Sequence, residues 1–410
     1  MKRQLFLPVI LLGLLVMSAC QTAVTELETG VWRGVFKTDS AIDIPFNFEI
    51  YDSAGAKQIA FINGQERLNI NSIEIKDDSV IIRTPMYETE IHAKLSSTGL
   101  EGYWIRNLPD RIQTMPFQAS PNTSYRFIEN PSDAKSDITG RWSVLFLRTS
   151  TDTSLAIGEF RQRGNQLEGT FLTNYGDYRF LSGEIDGDTF YLSAYAGASP
   201  SLFIGKMVND SIVGDMYSGP VNHSKWEAKA DENAKLDDAY DVTRLKPEYN
   251  TLSFKFPDTE GEMVSLTDER FNRKVVVIQF LGSWCPNCMD ETAFLSPFYK
   301  EYKNKGVEII GLAYERYSEP ARAKLAVKNL MDRFDVTYPV LLTGYSNKSG
   351  QVLESLPALE NFNAFPTTII IDKKGVVRTI HSGFDGPATG DAYHTYIEKF
   401  ESTINQLLNE

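Results

Sequence analysis

The octapeptide TGVWRGVF at residues 29–36 returns as TGRWSVLF at 139–146. IEIKDDSVII at 73–82 is matched by GEIDGDTFYL at 183–192, again 110 residues on, and GLEGYW at 99–104 is matched by SIVGDM at 211–216, near the same offset. A kept spacing argues against chance similarity, so this half of the chain reads as two copies of one module. Each copy is made of short runs such as IPFNFEIY, SVIIRT and LEGTFLT, separated by Gly, Asn, Asp and Ser. That pattern predicts antiparallel meanders with hairpin turns at NDS and DGD, about eight strands per copy. The expected modules are 20–129 and 136–230, with NPSDAKSD at 130–137 as the joint. Eight antiparallel strands can close into an up-and-down barrel, which removes exposed edges. Open sheets or a sandwich fit the same runs.

Each copy opens with Gly-x-Trp, at Gly30–Trp32 and Gly140–Trp142. This resembles the first strand of the lipocalin and calycin barrels, in which the Trp closes one end. The resemblance is confined to that short motif, and no partner Arg stands out on the last strands. Nothing in the sequence nominates a ligand, so barrels filled by their own side chains are expected, serving as spacers or docking modules.

The N-terminus reads as a targeting segment. MKRQ supplies positive charge, and LFLPVILLGLLVM at 5–17 is apolar but too short for an ordinary transmembrane helix. Met17-Ser18-Ala19-Cys20 then resembles the bacterial lipobox, with Met where Leu is more usual. The resemblance implies a signal peptide over 1–19, cleavage before Cys20, and lipidation of that cysteine. Gln21 in place of Asp favours the outer membrane in a cell with two membranes. A plain signal peptide with an incidental cysteine is the alternative. The net charge of −13 excludes nucleic acid as a partner, because binding phosphates needs clustered Lys and Arg.

Residues 231–250 are charged and poor in large apolar groups, and read as a linker with some helix. From 251 the pattern changes. VVVIQFLG at 275–282 is a continuous apolar run, as in a strand covered on both faces. A helix is expected from Pro286 to about Asn304, a strand at 307–314, and a helix at 320–334 with Pro at its start. Three short strands and an amphipathic C-terminal helix follow. The fold class is therefore multidomain: two antiparallel all-β, barrel-like modules followed by an α/β domain.

The chain has three cysteines. With Cys20 taken by lipid, Cys285 and Cys288 remain. A zinc site needs four ligands, and His92, His223, His381 and His394 are scattered, each expected at a surface or turn. A C-x-x-C loop is too short to staple much chain. Redox chemistry is what remains for the pair, in an exported protein where disulfides persist.

FKFPDTEGEMVSLTDERFNRKVVVIQFLGSWCPNC and AFPTTIIIDKKGVV resemble the opening hairpin, first core strand, W-C-x-x-C motif and proline loop of the TlpA/ResA-type thioredoxin-fold oxidoreductases. The resemblance covers 251–410. It implies a membrane-tethered thiol–disulfide oxidoreductase with no bound cofactor, acting on disulfide-containing protein substrates and recharged by a membrane thiol donor. It implies Cys285 as nucleophile at a helix N-terminus, where N–H groups favour a thiolate, and Cys288 as the resolving thiol. It implies a cis bond before Pro366, which would present backbone to the substrate. It also implies a proton-shuttling role for Glu291, one turn after Cys288; the alternative is a solvated helix residue. Trp284 is expected to cover the thiol or simply to pack. Gln279 replaces the buried Asp of thioredoxin. Gly282 stands where peroxiredoxins carry Thr or Ser, which disfavours peroxide chemistry. The competing reading is a ligand-binding or scaffold lipoprotein whose β modules carry the main function.

Overall fold

The computed structural model describes residues 27–410 apart from 71, 85, 86, 148, 150, 151 and 318. The expected signal peptide and Cys20 lie outside the described residues.

The first module contains β1 (Gly30–Lys37), β2 (Asp43–Ser53), β3 (Ala56–Asn63), β4 (Glu66–Ile70), β5 (Ile73–Lys76), β6 (Ser79–Thr84), β7 (Thr89–Ser96), β8 (Gly99–Asn107) and β9 (Ile112–Pro121). Their order is β4-β3-β2-β1-β9-β8-β7-β6-β5, all antiparallel, so the sheet curls round but stays unpaired between β4 and β5. The second module repeats the plan with β10 (Gly140–Leu147), β11 (Thr153–Arg163), β12 (Gln166–Thr173), β13 (Gly176–Asp177), β14 (Leu181–Asp186), β15 (Thr189–Ala194), β16 (Ser201–Val208), β17 (Ser211–Ser218) and β18 (Asn222–Ala230). Here β12 pairs with both β11 and β14, and β10 pairs with both β11 and β18, which closes a barrel. Strands β1 and β10, β2 and β11, and β3 and β12 each start 110 residues apart. The expected eight strands are nine in each copy. The extra ones, β4 and β13, are too short and too polar to register as alternating runs.

Both opening tryptophans are buried. Trp32 Nε1 donates to the carbonyl of Glu28 at 3.0 Å, and Trp142 Nε1 does the same to Ile138 at 2.9 Å, so each indole is tied to the chain entering its barrel. Side chains fill both interiors, the first with Phe36, Phe46, Phe48, Phe61, Trp104 and Phe117. Into this core reaches Tyr195, from the β15–β16 loop of the other module. Its ring lies 4.8 Å from Phe36 and 4.9 Å from both Phe46 and Phe61, between centroids. Asn63 locks it in place, donating to the Tyr195 carbonyl at 3.0 Å and accepting from its N–H at 3.1 Å. The equivalent β6–β7 loop of the first module supplies Tyr87, which is buried in the core of the C-terminal domain.

In the C-terminal domain, the hairpin of β20 (Lys255–Pro257) and β21 (Met263–Ser265) precedes a five-stranded sheet. The sheet holds β22 (Val275–Leu281), β23 (Val307–Ala313), β24 (Val340–Leu342), β26 (Thr367–Ile371) and β27 (Val377–Ser382) in the order β24-β23-β22-β26-β27. Strands β22, β23 and β24 are parallel, and β26 and β27 antiparallel to their neighbours. Every residue of β22 is buried. Val275 and Val277 face helices α1 (Pro286–Tyr302), α2 (Pro320–Phe334) and α4 (Asp391–Asn409), while Val276, Ile278 and Phe280 face α3 (Ser349–Ser355) and the hairpin. This is the expected α/β thioredoxin-like arrangement; α3 sits in the longer stretch after β24.

The segment 231–250 contains no helix, contrary to the sequence expectation. It lacks an apolar stripe and instead spends its backbone bonds on the C-terminal domain. Strand β19 (Arg244–Leu245) pairs with β25 (Leu359–Glu360), Ser382 N–H donates to Ala239 at 2.9 Å, and the Ser382 hydroxyl donates to that of buried Thr243 at 2.8 Å. His381 is likewise no surface residue. It is buried on β27, with Tyr240 at 4.7 Å and Tyr396 at 4.8 Å, and burial pushes its pKa down to about 4.

Candidate active site

Strand β22 ends at Leu281, and the chain turns through Gly282-Ser283-Trp284 into α1. A Cβ on Gly282 would lie 2.1 Å from Trp284 Nε1, so the glycine lets the indole fold back over the strand end. Trp284 Nε1 donates to the Tyr314 carbonyl at 2.9 Å, and its ring meets Phe365 edge-on at 5.4 Å. Cys285 is the N-cap of α1 and Pro286 its first residue, where the missing N–H costs nothing. The N–H of Cys288 donates to Cys285 Sγ at 3.2 Å. Cys285 and Cys288 form a disulfide, with Cα atoms 5.3 Å apart. Both are buried. The Phe365–Pro366 peptide is cis, and the Phe365 carbonyl lies 3.5 Å from Cys285 Sγ. Trp284, Cys285, Cys288 and Pro366 thus come together around one pair of sulfurs.

Glu291 is fully buried on α1, three residues after Cys288. Its carboxylate accepts from Gln279 Nε2 at 2.9 Å, Thr368 Oγ1 at 2.5 Å and Tyr396 OH at 3.4 Å. Burial pushes its pKa up to about 7, against the pull of those three donors. The solvated-residue alternative for Glu291 is therefore excluded. Gln279 is the polar side chain on β22 that faces α1. It supplies the amide that holds Glu291, and it also donates to Thr292 Oγ1 at 3.1 Å.

A second buried carboxylate escaped sequence reasoning. Glu315, just beyond β23, accepts from Ser283 N–H at 2.8 Å and Ser283 Oγ at 2.7 Å, and burial raises it to about 7. An acid directly after a buried apolar strand was the available signal. Two carboxyl groups that titrate near neutrality therefore flank the motif, Glu291 along the helix and Glu315 beneath the turn before Cys285.

The second β module also touches the motif. The Asn287 side-chain amide, in the orientation that satisfies both partners, donates to the Asp177 carbonyl and accepts from the Asp177 N–H, each at 3.1 Å. A Cβ on Gly176 would lie 1.8 Å from the end of the Asn287 amide, so only glycine leaves room for this pairing. Asp177 Oδ2 accepts from Gly386 N–H at 2.7 Å. Arg179 spans three parts of the molecule, donating to Asp290 on α1 at 2.5 Å, to Glu66 on β4 at 2.5 Å, and to the Pro286 carbonyl at 3.4 Å. Both middle residues of Cys285-Pro286-Asn287-Cys288 are thus held by a barrel. No periodicity or motif in the sequence announces these long-range pairings.

The Redoxin family model matches residues 226–396, a span that begins within β18, the last strand of the second barrel. The thiol-disulfide oxidoreductase ResA of Bacillus thuringiensis subsp. konkukian is 31% identical over 148 residues, covering 36% of this chain and 74% of that protein. ResA of Bacillus subtilis is 30% identical over 131 residues, 32% of this chain and 64% of that protein. Among solved structures, a putative protein disulfide isomerase from Bacteroides thetaiotaomicron aligns with 41% of this chain and 94% of its own, at 21% identity and a TM-score of 0.31.

Proposed function

The chain belongs to the ResA family of thiol–disulfide oxidoreductases, and from that premise we propose that it is a lipid-anchored reductase of protein disulfides outside the cytosol. The observation that carries this reading is the Cys288 N–H aimed at Cys285 Sγ at a helix N-terminus. A sulfur that accepts such a bond is favoured as the thiolate, which is the attacking species. The Cys285 thiolate attacks one sulfur of a substrate disulfide. A mixed disulfide forms and the other substrate sulfur leaves as a thiolate. Cys288, deprotonated in turn, attacks Cys285 Sγ, closes the Cys285–Cys288 disulfide and expels the second substrate sulfur. The enzyme dithiol has lost two electrons and two protons, and the substrate has gained them. A membrane dithiol donor then restores the pair.

Glu291 takes the Cys288 proton in this scheme, since a carboxyl that titrates near neutrality is matched to that transfer. Trp284 walls the sulfurs, and the chain at Phe365–Pro366 offers backbone to an extended substrate. Cys20 carries the lipid. Its replacement by Ala should release the protein from the membrane fraction.

The decisive test is insulin disulfide reduction. Cys285→Ala should abolish it, and unchanged turnover refutes the assignment of the nucleophile. Cys288→Ser should accumulate the mixed disulfide, from which the bound partner can be identified. A ligand-binding role for the β modules is the second reading. It is favoured by a cavity of about 680 Å³ where the unpaired β4–β5 seam faces α1 and α2, with Leu68, Ile70, Met289 and Phe334 among its walls. That volume falls within the range of small-molecule sites. Survival of cellular function after removal of residues 28–230 would dismiss this reading.

A further inference from the structure

Two guanidinium groups at the joint between the first β module and the C-terminal domain form no ion pair among the described residues. Arg316 lies over the Trp284 indole, its guanidinium carbon 4.5 Å from the ring centroid. That indole packs on Phe365, whose carbonyl lies 3.5 Å from Cys285 Sγ. Among the described residues, Arg316 has no hydrogen bond or ion pair. Arg106 comes from the first β module, at the end of β8. Its one hydrogen bond, to Ser199 Oγ at 2.7 Å, leaves its buried Nε without a partner.

A joint between their neighbours places the two arginines on adjoining segments. The Asn107 carbonyl accepts from Tyr317 OH at 3.3 Å and from Arg322 Nη2 at 3.1 Å. Arg322 also grips Glu88 with two bonds of 2.9 Å. Of the acids nearby, Glu88 is taken by Arg322, while Glu315 accepts two hydrogen bonds from Ser283 and acts on Arg316 through its charge without forming an ion pair. Burial, together with the charge of Arg106, pushes the Arg316 pKa down to about 10 against the pull of Glu315. Two half-buried like charges that form no salt bridge are costly to keep. In a chain of net charge −13 they create a local attraction for an anion, not a general one.

We propose that Arg106 and Arg316 form a two-domain anion site on the rim of the redox centre, which recognises a carboxylate side chain flanking the disulfide of a polypeptide substrate. This rests on the reading of Cys285 as the attacking sulfur. The planar guanidinium fork suits carboxylate geometry, and stacking on Trp284 pre-orients one of the two. Because Arg106 belongs to the barrel, the rim is complete only when the first module is docked.

The test uses the whole chain and two disulfide-bonded peptides, identical except that Asp and Glu beside the cysteines are replaced by Asn and Gln in one. At low salt the acidic peptide should be reduced with a kcat/KM about tenfold higher, the size of one charge-assisted hydrogen bond. Arg316→Gln and Arg106→Gln should each bring the acidic-to-neutral ratio close to one, and Arg106→Lys should keep part of the preference. Added salt should shrink the ratio. Equal rates on both peptides, or a ratio untouched by either glutamine variant, overturns the inference and leaves the redox reading standing. Reduction of neither peptide overturns both.

Discussion

Glu291→Gln isolates the energetic cost of the carboxylate beneath the redox motif. In the folded protein the Glu291 carboxyl titrates at about 7 instead of 4.5, because it is buried. In the unfolded chain it returns to its ordinary value. Between these two values the folded state holds a proton that the unfolded state has released, so stability falls as pH rises through this window. The stabilisation is fully present below pH 4.5 and lost above about pH 7. The rise corresponds to about 3 kcal/mol at roughly 1.4 kcal/mol per pH unit. Glutamine keeps the side-chain volume and, at Oε1, the acceptor for Thr368 and Tyr396; it gives up the one for Gln279, a loss that does not depend on pH, and it does not titrate. The assay is equilibrium denaturation of the oxidised protein from about pH 5 to about pH 8, wild type beside variant. The wild type should lose about 2.5 kcal/mol more than Glu291→Gln over this range, because the assay begins about half a unit inside the window. Glu315 titrates in the same window in both proteins and cancels in the difference. Parallel pH profiles would show that Glu291 is not held in a buried, proton-retaining site, and the proposed proton transfer would lose its basis.

Tyr195→Ala should empty the space between Phe36, Phe46 and Phe61 and cost about 3–5 kcal/mol, read as a lowered denaturant midpoint with the first module lost earliest. Arg179→Met should strand Asp290 and Glu66 without their cation and cost about 3–5 kcal/mol. Adding Asp290→Asn and Glu66→Gln to that variant should recover much of the loss, and no recovery would refute the pairing as its cause. Gly176→Ala should push the Asn287 amide off Asp177 and speed alkylation of the reduced cysteines; an unchanged rate would mean that the barrel does not shield the motif.

The tandem barrels and the C-terminal layer order were legible because hydrophobic period is a local signal. Gly30-x-Trp32 and its copy at Gly140 marked the first strands, and the continuous apolar run before Trp284 marked the strand that presents the cysteines. Burial of Glu291 agreed with a resemblance carried by adjacent residues. Barrel closure was not legible, because it depends on whether β12 can pair across to β14 while β4 and β5 stay apart, which is a matter of short polar strands. Segment 231–250 misled because charged composition describes solvent exposure of side chains and says nothing of where the backbone bonds go. Arg179 and Asp177 reach the motif from distant positions in the chain, through pairings with Asp290, Pro286 and Asn287 that leave no periodicity behind.

The two loop tyrosines carry one further consequence. The corresponding loop of each barrel inserts a ring into a neighbour, but the neighbours differ: Tyr195 enters the other barrel, and Tyr87 enters the sulfur-bearing domain. Had both copies kept the same target, every added repeat would have offered a fresh socket, and the molecule could have grown without end, like a head-to-tail filament. Because the two loops reach different partners, the series has a last member, and it closes on the domain that carries the two sulfurs.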